Sequence, residues 1–239
     1  MSRQQLTRNN VLVVVPALNE AMSIGGVLKG LLENNLHVVV INDGSVDETA
    51  HIARSMKVDV IDLAINLGVG GALRAGFQFA CRQGYEAVIQ VDADGQHPVG
   101  HIDNLISAAN QHDVDMIIGS RFIDATQSMP VNGLRRSTMR VLAWSASRAA
   151  KTKITDSTSG FRLIRQPLLG RFSHTFASNY LGDTYEAIIA AGRAGFKVKE
   201  ISTPIRERLH GESSSSTIQS FQQTIKVCTV VLLKLHTQI

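Results

Sequence analysis

The residues best suited to chemistry lie in Val88–Pro98, VIQVDADGQHP. Asp92 and Asp94 stand two apart just past an apolar run, so their carboxylates point the same way and can share one divalent cation. Gly95 lets the backbone turn there, and Gln96 or His97 can add a ligand. An Asp-x-Asp is also what an exposed turn looks like, because Asp is common in turns. Arginines form the second group. Arg121 follows an apolar run, and Arg135, Arg136, Arg162, Arg206 and Arg208 come later. A metal with several arginines can bind a diphosphate and stabilise the charge that grows as it departs. Some of these arginines are equally well read as solvated groups on helix faces.

Two further loops carry candidates. Asp43, in NDGS, can accept from the N–H edge of a base or from a ribose hydroxyl, or it caps the turn through Ser45. Asn19 and Glu20, in PALNE, can flank the same ligand, and Asn19 also suits a helix N-cap. The stretch NLGVGGALRAG (66–76) opens a helix but has neither the G-x-G-x-x-G spacing after a first strand nor GK[ST]. Small residues for close helix–sheet packing account for much of it, with Arg74 as a phosphate contact. No Ser-His-Asp or Cys-His arrangement is readable from spacing, and HExxH does not occur.

These residues need elements to position them. Apolar runs at 11–15, 37–43, 58–63, 86–94 and 115–122 alternate with helical patterns at 22–32, from about 47, at 68–79 and at 102–109. In the first helix Ile24, Val27, Leu28, Leu31 and Leu32 share a face. Such alternation predicts βαβ units and an α/β fold around a parallel sheet. PALNE, NDGS, DADGQ and GSR then meet outside the carboxyl ends of the strands, where parallel sheets bind ligands.

Composition narrows the class. The chain has 239 residues, 44% of them apolar, and a formal charge of +4 with acids and bases interspersed. That suits a globular domain with an anionic partner and does not point to nucleic acid. Cys81 and Cys228 are far apart in apolar segments, without metal-ligand spacing, and read as buried thiols in a reducing compartment. The N-terminus does not read as a signal peptide, and no run reaches the length of a spanning helix. Ser213–Ser216 reads as a flexible loop.

PALNE, NDGS, NLGVGG, DADGQHP and GSRF, in this order, resemble family 2 glycosyltransferases of the GT-A fold, within them the dolichyl- and polyprenyl-phosphate mannosyl- and glucosyltransferases. DSTSGFR (156–162), the region of Glu186, KEISTPIRER (199–208) and HGESS (210–214) extend the match from about Val11 to about Ser216. The resemblance implies a Rossmann-like, mostly parallel central sheet flanked by helices, with a C-terminal helical extension. The divisions expected are a polar tail over 1–10, the GT-A domain over 11–217 and an amphipathic helix over 218–239. It implies that Pro16, Leu18, Glu20, Ile41, Asp43, Asp92 and Ala93 hold a nucleotide-sugar, GDP- or UDP-linked. Asp92, Asp94 and Gln96 match the stretch that holds Mg2+ or Mn2+. Arg121, Arg135, Arg208 and Ser213 fall near the sugar phosphate and the acceptor phosphate, and Asp94 and Arg121 are the catalytic candidates.

The activity implied is transfer of a hexose, with inversion, to a polyprenyl phosphate such as dolichyl or undecaprenyl phosphate. The location implied is the cytoplasmic face of a membrane, held peripherally. Three departures stand out. Asn42-Asp43 replaces a common Asp-Asp, and Gly211-Glu212-Ser213-Ser214 lacks a lysine expected near phosphate. The chain also stops without the transmembrane pair of many relatives. Ile218, Phe221, Ile225, Val227, Val231, Leu232 and Leu235, with Lys226 and Lys234, suggest a helix that docks on a membrane or a small membrane partner, or packs on the core. A homo-oligomer is compatible with the sequence. The rival readings are a saccharide or lipid hydroxyl acceptor in envelope polysaccharide synthesis, a non-catalytic nucleotide-sugar-binding subunit, and a nucleotidyltransferase. The last should carry a Gly-rich basic loop after the first strand, which PALNE is not.

Overall fold

A computed structural model describes residues 3–123, 133–176 and 182–204. The five apolar runs become strands, four of them largely buried and the 58–63 run a partly exposed edge strand. The strands are β1 (Val11–Ala17), β2 (His37–Asn42), β3 (Asp59–Asp62), β4 (Ala87–Gln90) and β5 (Met116–Ser120), joined by β6 (Arg162–Arg165) and β7 (Val198–Ser202). In β1, Val11, Val13 and Val15 enter one core while Leu12 and Val14 enter the other. That two-sided burial is why the run is continuously apolar rather than alternating. The helices are α1 (Ile24–Glu33), α2 (Thr49–Ser55), α3 (Gly68–Arg82), α4 (Ile102–His112), α5 (Gly133–Ala150), α6 (Leu168–Thr175) and α7 (Gly182–Arg193). Residues of α1, α2 and α4 build the first core, and residues of α3, α5, α6 and α7 the second. Leu32 is the exception to the expected face of α1: it is exposed, while Ile24, Val27, Leu28 and Leu31 are buried.

The sheet order is β3-β2-β1-β4-β6-β5-β7. The first four strands are parallel, with Val13 opposite Val38 and Val13 opposite Ile89. β6 runs antiparallel to both β4 and β5, and β7 is parallel to β5. Because β6 is reversed, the residues that precede it lie at the same edge as the ends of β4, β5 and β7. This inversion brings the DSTSGFR stretch to the site.

Two packing details matter below. A Cβ at Gly76 would lie 2.4 Å from Val14 Cγ1, so α3 sits against β1 at a distance only glycine permits. This is the close packing expected of the NLGVGGALRAG segment. The polar N-terminal stretch lies against the domain: Leu6 is buried, and its N–H and C=O pair with the Asn110 amide at 2.9 and 2.9 Å. Cys81 is a free thiol but only half-buried, because it lies near the end of α3, beside Gln166. Cys228 and the amphipathic segment 218–239 lie outside the described residues. No helix among the described residues is long and apolar enough to cross a membrane.

Candidate active site

The loops after β1 and β2 are locked together. Asn19, in the left-handed region at φ 54, donates its N–H to Ser45 Oγ at 3.0 Å and accepts the Val46 N–H at 2.9 Å. Asn19 therefore does not cap α1; Ser23 stands at that position, and its hydroxyl donates to Glu20 Oε2 at 2.8 Å. Glu20 in turn donates its N–H to Thr49 Oγ1 at 2.8 Å. Asp47 joins in by accepting the Ala21 N–H. Burial alone would raise the Asp47 carboxyl, but hydrogen bonds from Thr49 and Ala21 outweigh it and hold it below its ordinary range. α2 begins at Thr49, two residues later than the sequence pattern suggests.

Asp43 does not cap its turn. Asn42 does, accepting the Ser45 N–H at 3.1 Å and donating to Asp62 Oδ1 at 2.8 Å. Asp43, only 3% exposed, accepts the Leu67 N–H at 2.7 Å through Oδ1, and its Oδ2 takes no hydrogen bond from the described residues. It ties the loop after β2 to the start of α3. Ile41 is wholly buried and packs beside Gly76, so its side chain belongs to the core. Pro16 is half-buried at the end of β1, and Leu18 is exposed beyond it.

The two carboxylates follow β4 directly. Asp92 Oδ1 accepts from Gln90 Nε2 at 3.0 Å, and Asp94 Oδ1 accepts the Gln96 N–H at 3.0 Å. Gly95, at φ 81, makes the turn between them and Gln96, while Ala93 is buried in the core. His97 is buried, 5.1 Å from the Phe161 ring, and its Nδ1 accepts the Asp92 N–H at 2.9 Å. Its Nε2 lies 3.6 Å from Asp92 Oδ2. With one nitrogen on the backbone and the other facing a carboxylate, His97 braces Asp92. No group of three or more His, Cys, Asp or Glu side chains converges among the described residues. Two hard carboxylates still fit Mg2+ or Mn2+, which take one or two carboxylates and fill their shell with water and substrate phosphate. A cavity of about 680 Å³ adjoins Asp94, bounded by Met22, Gly26, Val99, His101 and Pro204.

Arg121 follows β5 at the same edge. Its Nε donates to Asp156 Oδ2 at 2.7 Å and its Nη2 to Asp156 Oδ1 and Thr158 Oγ1, each at 2.8 Å. Burial would raise the Asp156 carboxyl, but the guanidinium outweighs it and holds the group below its ordinary range. Arg162 is a different case. It is 1% exposed and donates to the carbonyls of Ser159 and Thr184, both at 2.6 Å. It joins the SGF turn to α7 and is spent on the fold, so it is not the diphosphate ligand its type suggested. Arg135 and Arg136 fall in the first turns of α5. Arg206, Arg208 and Ser213 lie outside the described residues.

Gln90, Asp156, Thr158, Gly160 and Glu200 escaped sequence reasoning. Asp156 and Gly160 stand in the DSTSGFR stretch, but nothing in their spacing announces partners 35 and 68 residues upstream. A Cβ at Gly160 would lie 3.0 Å from both Asp92 Oδ2 and Gln90 Nε2, so the bare backbone makes room for the carboxylate.

The family described as Glycosyl transferase family 2 matches residues 12–172. The undecaprenyl-phosphate mannosyltransferase of Micrococcus luteus is 27% identical, over 86% of this chain and 87% of that protein. The polyprenol monophosphomannose synthase of Mycolicibacterium smegmatis is 28% identical, over 86% and 80%. An uncharacterised protein of Methanocaldococcus jannaschii is 32% identical over 82% of each chain. In fold the chain is similar to glucosyl-3-phosphoglycerate synthase of Mycobacterium tuberculosis, crystallised with Mn2+, UDP-glucose and phosphoglyceric acid. The TM-score is 0.71 at 17% identity, covering 98% of this chain and 85% of that one. The ordered motifs, the β3-β2-β1-β4-β6-β5-β7 sheet and these matches converge: this chain is a glycosyltransferase of family 2 with the GT-A fold.

Proposed function

We propose that this glycosyltransferase moves a hexose from a GDP- or UDP-sugar to a polyprenyl phosphate, with inversion and with Mg2+ or Mn2+. The observation that carries the reading is the placement of Asp92 and Asp94 at the end of β4 and of Arg121 at the end of β5, on one edge of the sheet. The relatives named for undecaprenyl phosphate and polyprenol support the acceptor class.

In this reading the acceptor phosphate oxygen attacks the anomeric carbon from the face opposite the diphosphate. The new carbon–oxygen bond forms as the bond to the diphosphate breaks, and the nucleoside diphosphate leaves. A metal held there would supply positive charge to stabilise the departing diphosphate. Asp92 and Asp94 would hold that metal, with Gln96 beside them. Asp43, whose Oδ2 takes no hydrogen bond from the described residues, faces the nucleoside, and Glu20 borders the same loop. Arg121 offers directed N–H bonds to phosphate. The acceptor is already an anion, so no side chain has to remove a proton from it.

The test is transfer of labelled sugar from UDP- or GDP-hexose to a polyprenyl phosphate with Mn2+, Mg2+ or EDTA. Metal-dependent label in the lipid phosphate, lost in Asp92→Asn and Asp94→Asn, is expected. Label on a lipid or saccharide hydroxyl instead would overturn the acceptor assignment.

A further inference from the structure

Behind Arg121 lies a second tier of carboxylates. Glu200, 9% exposed on β7, reaches across to the turn ahead of β6. Its Oε2 accepts the Thr155 N–H at 2.7 Å and the Thr155 hydroxyl at 2.8 Å, and its Oε1 accepts the Asp156 N–H at 2.8 Å. The Thr155 hydroxyl also meets Ser120 Oγ at 2.8 Å, which joins the turn to the end of β5. This turn has no strand partner of its own, so a single carboxylate takes the place of a ladder for two successive N–H groups. Burying Glu200 is costly, and burial raises its carboxyl. A fold in need of stability alone could fill this position with an apolar side chain.

The return is the setting of one guanidinium. Asp156, fixed by Glu200, grips Arg121 through both oxygens, and Thr158 takes the remaining N–H of Nη2. Of the five N–H bonds of a guanidinium, three are thereby used. The two on Nη1 have no acceptor among the described residues, and the side chain is 26% exposed. Two carboxylates and one guanidinium leave the cluster with no surplus of positive charge. It can therefore recognise an anion only through N–H bonds held in a set direction.

The geometry points to Asp156 and Glu200 as positioning residues that hold Arg121 with its Nη1 edge directed at the acceptor phosphate. This rests on the reading of Arg121 as a phosphate ligand, and the experiment separates the two ideas. Full-length wild type, Arg121→Ala, Asp156→Asn, Glu200→Gln and Thr158→Val are assayed with a short-chain polyprenyl phosphate at saturating donor. Binding of UDP and GDP with Mn2+ is measured alongside. Asp156→Asn and Glu200→Gln are expected to raise the acceptor KM about 10-fold or more, the size usual for removing an orienting partner, with nucleotide affinity unchanged. Thr158 is exposed, so Thr158→Val tests one lock on Nη2 without endangering the fold, and a smaller rise is expected. If Arg121→Ala leaves the acceptor KM unchanged, the phosphate reading of Arg121 fails. If Arg121→Ala raises it while the other three do not, the positioning proposal is overturned. Should the buried variants not fold, or no transfer occur, the Arg121 Nε–H resonance of the wild type decides. Slow exchange with water is expected, and exchange as fast as that of an exposed arginine overturns the proposal.

Discussion

His97 Nδ1 accepts the backbone N–H of Asp92 at 2.9 Å, and that bond sets where the first carboxylate of the pair can stand. The imidazole is pinned between this N–H and the Phe161 ring, with Nε2 toward Asp92 Oδ2. His97→Ala should leave the N–H without a partner and weaken Mn2+-dependent nucleotide binding about 10-fold. Calorimetric titration of nucleotide with and without Mn2+ reads this directly. Unchanged affinity would remove His97 from the positioning of Asp92.

Gly160→Ala tests the same carboxylate from the other side. The added methyl would crowd Asp92 Oδ2 and Gln90 Nε2, each 3.0 Å from the new Cβ. Local overpacking should cost the free protein about 1 kcal/mol. Binding should suffer more, because Asp92 has to move. In a melting experiment the apo midpoint is expected to fall slightly and the stabilisation by nucleotide with Mn2+ to fall by most of its value.

Asp92→Asn and Asp94→Asn should abolish metal-dependent stabilisation. A nucleotide at about 100 times its Kd adds about 2.7 kcal/mol to the wild type. Either variant should show no difference between Mn2+ and EDTA. A shift that survives in both variants would place the metal elsewhere.

Asp156 makes stability depend on pH with a definite sign. Its carboxyl is held below its unfolded value, because the Arg121 pair outweighs the burial that would raise it. Its contribution is therefore complete above the unfolded carboxylate range, about pH 4, and is lost as pH falls through the lower folded value. Asp156→Asn, which leaves a guanidinium partly buried and unpaired, should cost on the order of 3 kcal/mol at pH 7. The gap between wild type and variant should narrow below about pH 4. Urea melts at pH 7, 5 and 3 are the measurement, and a gap that does not change with pH would contradict the pairing.

Much of this architecture was legible because local pattern and tertiary structure agree. The run Val11–Val15 announces a strand covered on both faces, and DADGQ announces a turn at its neighbour's end. The parallel half of the sheet follows from such runs. β6 and β7 do not, since each is four or five residues long and carries arginines, lysine or glutamate that find their partners through the fold. Arg162 shows the limit most plainly. By type it belongs with the phosphate ligands, yet the loop carbonyls of Ser157 and Ser159 and that of Thr184 in α7 absorb it, and only burial reveals this. Asp43 was ambiguous for a similar reason, because it can cap the turn or reach elsewhere, and only the fold shows that Asn42 takes the Ser45 N–H while Asp43 takes that of Leu67.

The reversed strand β6 also bears on how the chain acquires its shape. β1, β2 and β3 come from residues 11–62 and pair through short crossovers, whereas β4 meets β1 only when Val11 comes opposite Ala87. The second half joins the sheet when Arg162 pairs with Gln90 and Leu163 with Ile89, and both this pairing and that of β4 with β1 close loops of more than seventy residues. Long closures are entropically late events. The loops after β1 and β2 should thus be assembled before the turn that grips Arg121. Pulse-labelled amide exchange during refolding should find β1 and β2 protected earlier than β4 and β6.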